Sequence, residues 1–236
     1  MTWTRAVVIG ASGGVGGALA GALAATGVEV HGLSRRGVPM PGVEAGRIDL
    51  ADEASIAAAA ERLSGAGPID LVLVASGLLH DSDVKPEKSW RQLSGNALSL
   101  YFAINATGPA LVAKHFVPLM PARGPATFAA LSARVGSIAD NRLGGWYGYR
   151  ASKAALNMLV KTLAIELART RPETVCVALH PGTVDTGLSA PFQRGVAPEK
   201  LFTPEYTAER LLAVLAALTP SQSGGCFAWD GTRIPE

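Results

Sequence analysis

Tyr149 and Lys153 stand four residues apart in Tyr149-Arg150-Ala151-Ser152-Lys153, near the start of an alanine-rich stretch. Residues so spaced share one face of a helix, so a phenol and an ammonium point the same way. A free phenol, with a pKa near 10, exchanges protons poorly at neutral pH, and a neighbouring ammonium lowers that value by favouring phenolate. The pair can therefore pass a proton to or from a substrate oxygen. The same spacing also describes an amphipathic helix with a surface lysine, and the rest of the chain has to decide between the two.

A second chemical feature is Gly10-Ala11-Ser12-Gly13-Gly14-Val15-Gly16-Gly17, which follows the strand-like Arg5-Ala6-Val7-Val8-Ile9 and leads into a helical pattern. A strand-to-helix turn without side chains lets backbone N–H groups and the positive end of the helix approach a pyrophosphate. Glycine also serves a plain tight turn, but the first βα turn of an α/β pattern favours a dinucleotide. The second strand ends in Ser34-Arg35-Arg36, where an NAD site usually carries an Asp or Glu for the ribose 2′-OH. A guanidinium grips a 2′-phosphate with two parallel hydrogen bonds, so NADP(H) is the expected cofactor. Ser12 can add a hydroxyl to the same phosphate, while Arg36 is also readable as a solvated loop residue.

The elements that must hold these groups are short apolar runs alternating with longer helical segments, the pattern of βα units around a parallel sheet. Strands are expected at 5–9, 28–33, 44–49, 69–75, 126–131, 174–180 and 225–229, and helices at 15–26, 52–64, 88–120 with breaks, 145–169 and 204–218. The reading is one α/β domain over residues 1–236 with a seven-stranded parallel sheet, and a long loop at 187–203 over the substrate site. Lys and Arg number 21 against 19 Asp and Glu, a net charge of +2, too small to argue for nucleic acid or a membrane surface. Mean hydropathy is +0.25, yet the longest apolar run, Leu211 to Leu218, is far short of the roughly 20 residues of a membrane span. No leader-like stretch is read, so a cytoplasmic protein is expected. Cys176 and Cys226 have no partners at metal-ligand spacing and read as buried thiols, with no metal site.

The glycines at 10, 14 and 16, Tyr149-x-x-x-Lys153, and Pro181-Gly182-Thr183-Val184-Asp185-Thr186 together resemble the G-x-x-x-G-x-G, Y-x-x-x-K and P-G-x-x-x-T motifs of the short-chain dehydrogenase/reductase family. The resemblance covers essentially the whole chain. The stretch Gly136 to Arg150 and the ending Asp230-Gly231-Thr232-Arg233-Ile234-Pro235 look like its C-factor and sniffer-like carbonyl reductase subgroup. The resemblance implies a Rossmann-like, doubly wound fold. It also implies hydride transfer between a nicotinamide and a small-molecule carbonyl or alcohol, with Tyr149 as general acid/base and Lys153 on the nicotinamide ribose.

Further roles follow from the same resemblance. Gly10, Gly13, Gly14, Val15 and Gly16 would line the pyrophosphate, and Ser12, Ser34, Arg35 and Arg36 the 2′-phosphate. Asp49, with Leu50, would meet the adenine; its other reading is a helix cap, a role that Asp52 fits better. Ala75-Ser76-Gly77 replaces the family's Asn-Ala-Gly, and Gly77 still allows close backbone approach. Pro181, Gly182, Val184 and Thr186 would hold the carboxamide. Asn105 would anchor a relay water, since Pro109, four residues on, has no N–H to return to its carbonyl; it also reads as a cap at a helix break.

One position departs from the pattern. The family carries a substrate-binding serine where this chain has Ala133, in Leu131-Ser132-Ala133-Arg134-Val135-Gly136. Ser132 cannot take its place without a bulge, because successive strand side chains point to opposite faces. Ser137 and Tyr147 are other hydroxyls of unassigned position. Ala133 and Leu188 are placed at the substrate, in a pocket read as apolar. An alternative class follows from Ala133, an NADP(H)-binding protein of little turnover acting as a redox-sensing or signalling partner. A homodimer or homotetramer is expected, with a monomer left open. Replacing Arg35 with Glu is predicted to weaken NADPH by roughly tenfold more than NADH, the worth of a charge-assisted contact. Equal losses in equilibrium titrations would remove the 2′-phosphate assignment.

Overall fold

The computed structural model describes residues 2–236. Its centre is an eight-stranded sheet whose inner strands are continuous apolar runs, as expected where both faces of a parallel sheet are covered. In chain order the elements are β1 (Arg5–Ile9), α1 (Gly14–Ala25), β2 (Glu29–Ser34), β3 (Glu44–Arg47), α2 (Glu53–Leu63) and β4 (Leu71–Val74). Then come α3 (Gly95–Phe102), α4 (Gly108–Phe116), β5 (Ala126–Leu131), α5 (Tyr147–Thr170) and β6 (Thr174–His180). The chain ends with β7 (Thr183–Val184), β8 (Leu201–Phe202), α6 (Pro204–Ala217), β9 (Cys226–Ala228) and β10 (Arg233–Ile234).

The strand order is β10-β9-β6-β5-β4-β1-β2-β3. Period-two alternation divides β1 between two layers. Val7 and Ile9 pack with Ile56, Phe116, Leu156 and Val160 from α2, α4 and α5, whereas Ala6 and Val8 pack with Leu19, Leu23, Leu211 and Leu215 from α1 and α6. The chain leaves β1 toward β2 and β3, then returns to pair β4 on the other side of β1. That reversal opens a crevice beyond the carboxyl ends of β1 and β4, where ligands bind in doubly wound sheets.

The expected seven parallel strands are present, and β10 is an eighth, antiparallel to β9. Two residues are too few to show a period, so β10 is made by the turn before it. Gly231 N–H donates to Ala228 O at 2.9 Å and Ala228 N–H to Thr232 O at 2.8 Å. The expected loop at 187–203 is also more ordered in pattern than its sequence shows. β7 and β8 pair in parallel across it, with short 3₁₀ turns at Ala190–Phe192 and Pro198–Lys200. The long segment 88–120 breaks into α3, a π turn at Ala103–Thr107 and α4. Among the described residues no helix is long and apolar enough to cross a membrane.

Candidate active site

α5 carries Tyr149 in its first turn and Lys153 one turn later, both buried and on one face. Their expected coupling is different in kind. The Lys153 ammonium donates to Leu131 O at 2.7 Å and lies 5.8 Å from the centre of the Tyr149 ring. Burial, with Tyr101 beside it, raises the Tyr149 phenol above its ordinary pKa, so the expectation that Lys153 depresses it is corrected. Burial acts on the lysine as well, lowering it to about 8. The physical reason is common to both, because a low-dielectric site disfavours whichever form is charged.

Asn105 lies in the π turn, fully buried. Its Oδ1 accepts from Leu78 N–H at 2.7 Å, and its Nδ2 donates to Leu78 O at 2.8 Å and to Ser152 Oγ at 3.1 Å. Ser152 in turn donates to Tyr149 O at 2.9 Å. Gly77, next to Leu78, sits between the other two groups. A Cβ there would lie 3.4 Å from Lys153 Nζ and 3.5 Å from Asn105 Oδ1. The structure thus brings Gly77, Asn105, Tyr149 and Lys153 to one place beyond β4, with Ser152 as the linking hydroxyl. Ser152 was legible only as the residue three beyond Tyr149, a spacing at which a hydroxyl back-bonds within a helix.

The glycine loop occupies the crevice beside them. Gly10 has φ +94°, and a Cβ on it would fall 2.8 Å from Ser76 N, so the close approach of β1 and β4 itself demands glycine. Gly14 is packed by Thr186, whose Cγ2 would stand 2.5 Å from a Cβ. Ser12, Gly13 and Gly14 are exposed, Val15 is half-buried and Gly16 is buried. The N-terminus of α1 has no side-chain cap and no acidic residue in its first turn, a donor set suited to an anionic group.

At the end of β2 the Ser34 hydroxyl is buried and accepts from Gly37 N–H at 3.1 Å, shaping the turn that carries the exposed Arg35 and Arg36. Asp49 Oδ1 accepts from Ala51 N–H at 3.0 Å, while Asp52 caps α2. Leu50 is in the core, against the position of Gly108. Ala75 and Ser76 are half-buried, and Ala75 N–H donates to Ile9 O at 2.7 Å. Pro181 and Gly182 are half-buried; Val184 is buried in β7, and Thr186 follows that strand.

Around the phenol the wall is apolar and aromatic. Leu78, Leu79, Val84 and Tyr101 form a cluster with Tyr149, packed by Ala133, Trp146 and Phe192. Ala133 is in this wall, whereas Ser132 Oγ donates to Asn157 Oδ1 at 2.7 Å, turned away as strand alternation requires. Ser137 Oγ accepts from Asp140 N–H at 3.1 Å, and Tyr147 is exposed. The loop after β7 reaches the same wall. His80 Nε2 donates to Gly187 O and Leu188 O, each at 3.1 Å, and Phe192 stacks edge-on to His80 and Trp146. Leu188 is exposed and joins this contact through its carbonyl. Phe192 is one of the apolar residues, with Leu188 and Pro191, that the sequence places at the substrate pocket, whereas Trp146 and His80 were not singled out, since aromatic residues in separate loops carry no shared pattern.

Cys176 and Cys226 are buried as expected, each pushed up to about 12 by burial. Among the described residues no three His, Cys, Asp or Glu side chains are placed to hold a metal ion.

A family model described as short chain dehydrogenase matches residues 4–196. The C-signal protein of Myxococcus xanthus is 38% identical over 135 residues, 57% of this chain and 75% of that protein. A 1-hydroxy-2-glutathionyl-2-methyl-3-butene dehydrogenase of Rhodococcus sp. is 31% identical over 188 residues, 79% of this chain and 77% of that one. Among solved structures, the NADPH-bound carbonyl reductase from chicken fatty liver superposes with a TM-score of 0.87 at 25% identity, covering 100% of this chain and 95% of that one. The carbonyl reductase Sniffer of D. melanogaster shares the fold, with a TM-score of 0.83 at 21% identity and all of both chains covered.

The lowered lysine has a measurable consequence. Its folded pKa of about 8 lies below the ordinary 10.5, so between those values the unfolded chain holds a proton that the folded chain has released, and stability rises with pH. Relative to Lys153→Met, the wild type is predicted to gain stability between pH 8 and 10.5, by up to about 3 kcal/mol. Urea unfolding of both proteins across that range checks it; a pH-independent difference would mean that Lys153 is not depressed.

Proposed function

The chain belongs to the short-chain dehydrogenase family, oxidoreductases acting on carbonyl and alcohol groups, and on that premise we propose that it is an NADP(H)-dependent carbonyl reductase with Tyr149 as the proton donor. The observation that carries this reading is the convergence of Tyr149, Lys153, Asn105 and Gly77 beside the uncapped start of α1. A protein built only to bind a nucleotide has no need of a buried phenol at that place.

The residues present fit the cofactor. The exposed residues Gly13 and Gly14 at the uncapped start of α1 suit the pyrophosphate, Arg35 and Arg36 the 2′-phosphate, Asp49 the adenine, and the segment Pro181 to Thr186 the carboxamide. When bound, NADPH supplies a hydride to the carbonyl carbon. Tyr149 holds its proton across the physiological range because burial opposes phenolate, and it passes that proton to the carbonyl oxygen as negative charge develops there. Lys153, anchored on Leu131 O, would hold the nicotinamide ribose, and its ammonium, 5.8 Å from the Tyr149 ring centre, would stabilise the phenolate left when Tyr149 gives up its proton. Asn105 fixes the Leu78 backbone and, through Ser152, the carbonyl of Tyr149. The apolar wall of Leu79, Val84, Trp146 and Phe192 excludes water and favours an apolar substrate.

Ala133 leaves the developing oxyanion with one hydroxyl fewer than the family pattern. Loss of one such donor costs on the order of 10²- to 10³-fold in rate, which slows the reaction without removing the acid. Tyr149→Phe is predicted to abolish NADPH oxidation, followed at 340 nm against aldehydes, quinones and diketones, with NADPH affinity within about twofold of wild type. Residual wild-type turnover would mean another acid acts. Ala133 has extended backbone, φ −151° and ψ 147°, which accepts serine without strain. Ala133→Ser is predicted to raise kcat, by up to the order of 10²-fold; a neutral result with the fold preserved would place a compensating hydroxyl elsewhere. Tight NADPH binding by the wild type with no turnover across the panel would overturn the reductase in favour of a cofactor-sensing protein.

A further inference from the structure

The catalytic helix begins without a cap of its own. The first four N–H groups of any helix lack intrahelical acceptors, and at α5 the N-cap residue is Trp146, which offers no side-chain bond, with no acidic residue in the first turn. Trp146 is also the one non-glycine residue with positive φ among those described, at φ 52°. A bulky side chain holds that conformation only where its surroundings enforce it.

What enforces it comes from far away in the chain. Glu87, between β4 and α3, is 3% exposed. Its Oε2 accepts from Gly148 N–H at 3.1 Å, and its main-chain carbonyl accepts from Trp146 N–H. Gly148 makes room for this contact, since a Cβ there would stand 3.1 Å from Glu87 Oε1 and collide with the Tyr101 ring. Glu87 Oε1 is itself buried without a hydrogen-bond partner. Burying half a carboxylate unpaired is costly, so the residue is a poor choice for stability alone. A carboxylate does suit the positive end of a helix. The two residues it grips lie just before the phenol in the chain. Tyr149 follows Gly148 directly, and the Trp146 ring stands edge-on to Tyr149 at 6.1 Å and to Phe192 at 5.0 Å.

We propose that Glu87 is a positioning residue whose side chain, reaching Gly148 N–H, holds the first turn of α5 and so sets where the Tyr149 phenol points. This rests on Tyr149 being the proton donor. A misplacement of about 1 Å at a reacting group can cost on the order of 10²-fold in rate, so the reach of the carboxylate matters more than its charge.

Two variants separate reach from charge. Glu87→Gln keeps the length and an acceptor oxygen but loses the charge, whereas Glu87→Asp keeps the charge and withdraws it by one methylene. For each, amide hydrogen exchange over residues 146–150, NADPH affinity, and kcat and KM for a carbonyl are measured. The expected result for Glu87→Asp is exchange in the first turn of α5 faster by about tenfold, and kcat lower by roughly 10- to 100-fold. NADPH affinity stays within about twofold. Glu87→Gln is expected to rescue both exchange and kcat to within about threefold of wild type. Wild-type behaviour in Glu87→Asp, a larger loss in Glu87→Gln than in Glu87→Asp, or a parallel loss of NADPH affinity would overturn the proposal. If the wild type turns over no carbonyl, the reductase reading falls, and unchanged exchange in Glu87→Asp would separately refute the hold on α5.

Discussion

The buried side chain of Asn105 is the contact on which the site depends. It closes two hydrogen bonds on the backbone of Leu78 and a third on Ser152, so one amide ties the segment after β4, the π turn between α3 and α4, and the catalytic helix α5. A side-chain amide has few ways to satisfy both its oxygen and its NH₂ in a dry interior, and here nearly every option is used. Displacing any of the three elements would leave a buried donor or acceptor unpaired, at a cost of about 1–3 kcal/mol for each group. The π turn is part of the same solution. Gly108 packs against Leu50, where a Cβ would lie 2.8 Å from Leu50 O, and Pro109 brings no N–H to the turn before it.

Burial then sets the chemistry of what is held. The same dry wall raises Tyr149 and lowers Lys153, which biases the pair toward a neutral phenol and an easily deprotonated amine. Such a site is disposed to give a proton to an oxygen that is gaining charge. The ammonium rests on the Leu131 carbonyl at the end of β5, the strand whose next residues are Ser132, turned away to Asn157, and Ala133, facing the cluster around Tyr149. The alternation of one strand therefore decides both where the lysine is anchored and why a neighbouring serine cannot supply the missing hydroxyl.

The loop from β7 to β8 closes the arrangement from the other side. Phe192 meets Trp146, Trp146 meets Tyr149, and His80 holds the carbonyls of Gly187 and Leu188. Three segments far apart in the chain thus share one aromatic wall, and Glu87 stands behind it at the start of α5.

Much of this was legible in the residues alone. The βα alternation, the glycine turn after β1, the placing of Tyr149 and Lys153 on one helical face and the outward turn of Ser132 follow from periods of 3.6 and 2 and from backbone sterics, which act over a few neighbouring residues. β10 escaped because its two residues show no period, and β7 with β8 because their pairing spans an irregular loop. The protonation bias of the phenol and the lysine is not carried by their spacing, since it depends chiefly on desolvation in the folded interior rather than on the interval between the two. The partners of Asn105, the anchoring of Lys153 on Leu131 and the grip of Glu87 on α5 were likewise settled only by the fold. Each joins groups more than 20 residues apart, and hydrogen bonding and burial at that range depend on which surfaces the sheet brings together, a property that no local stretch of sequence carries.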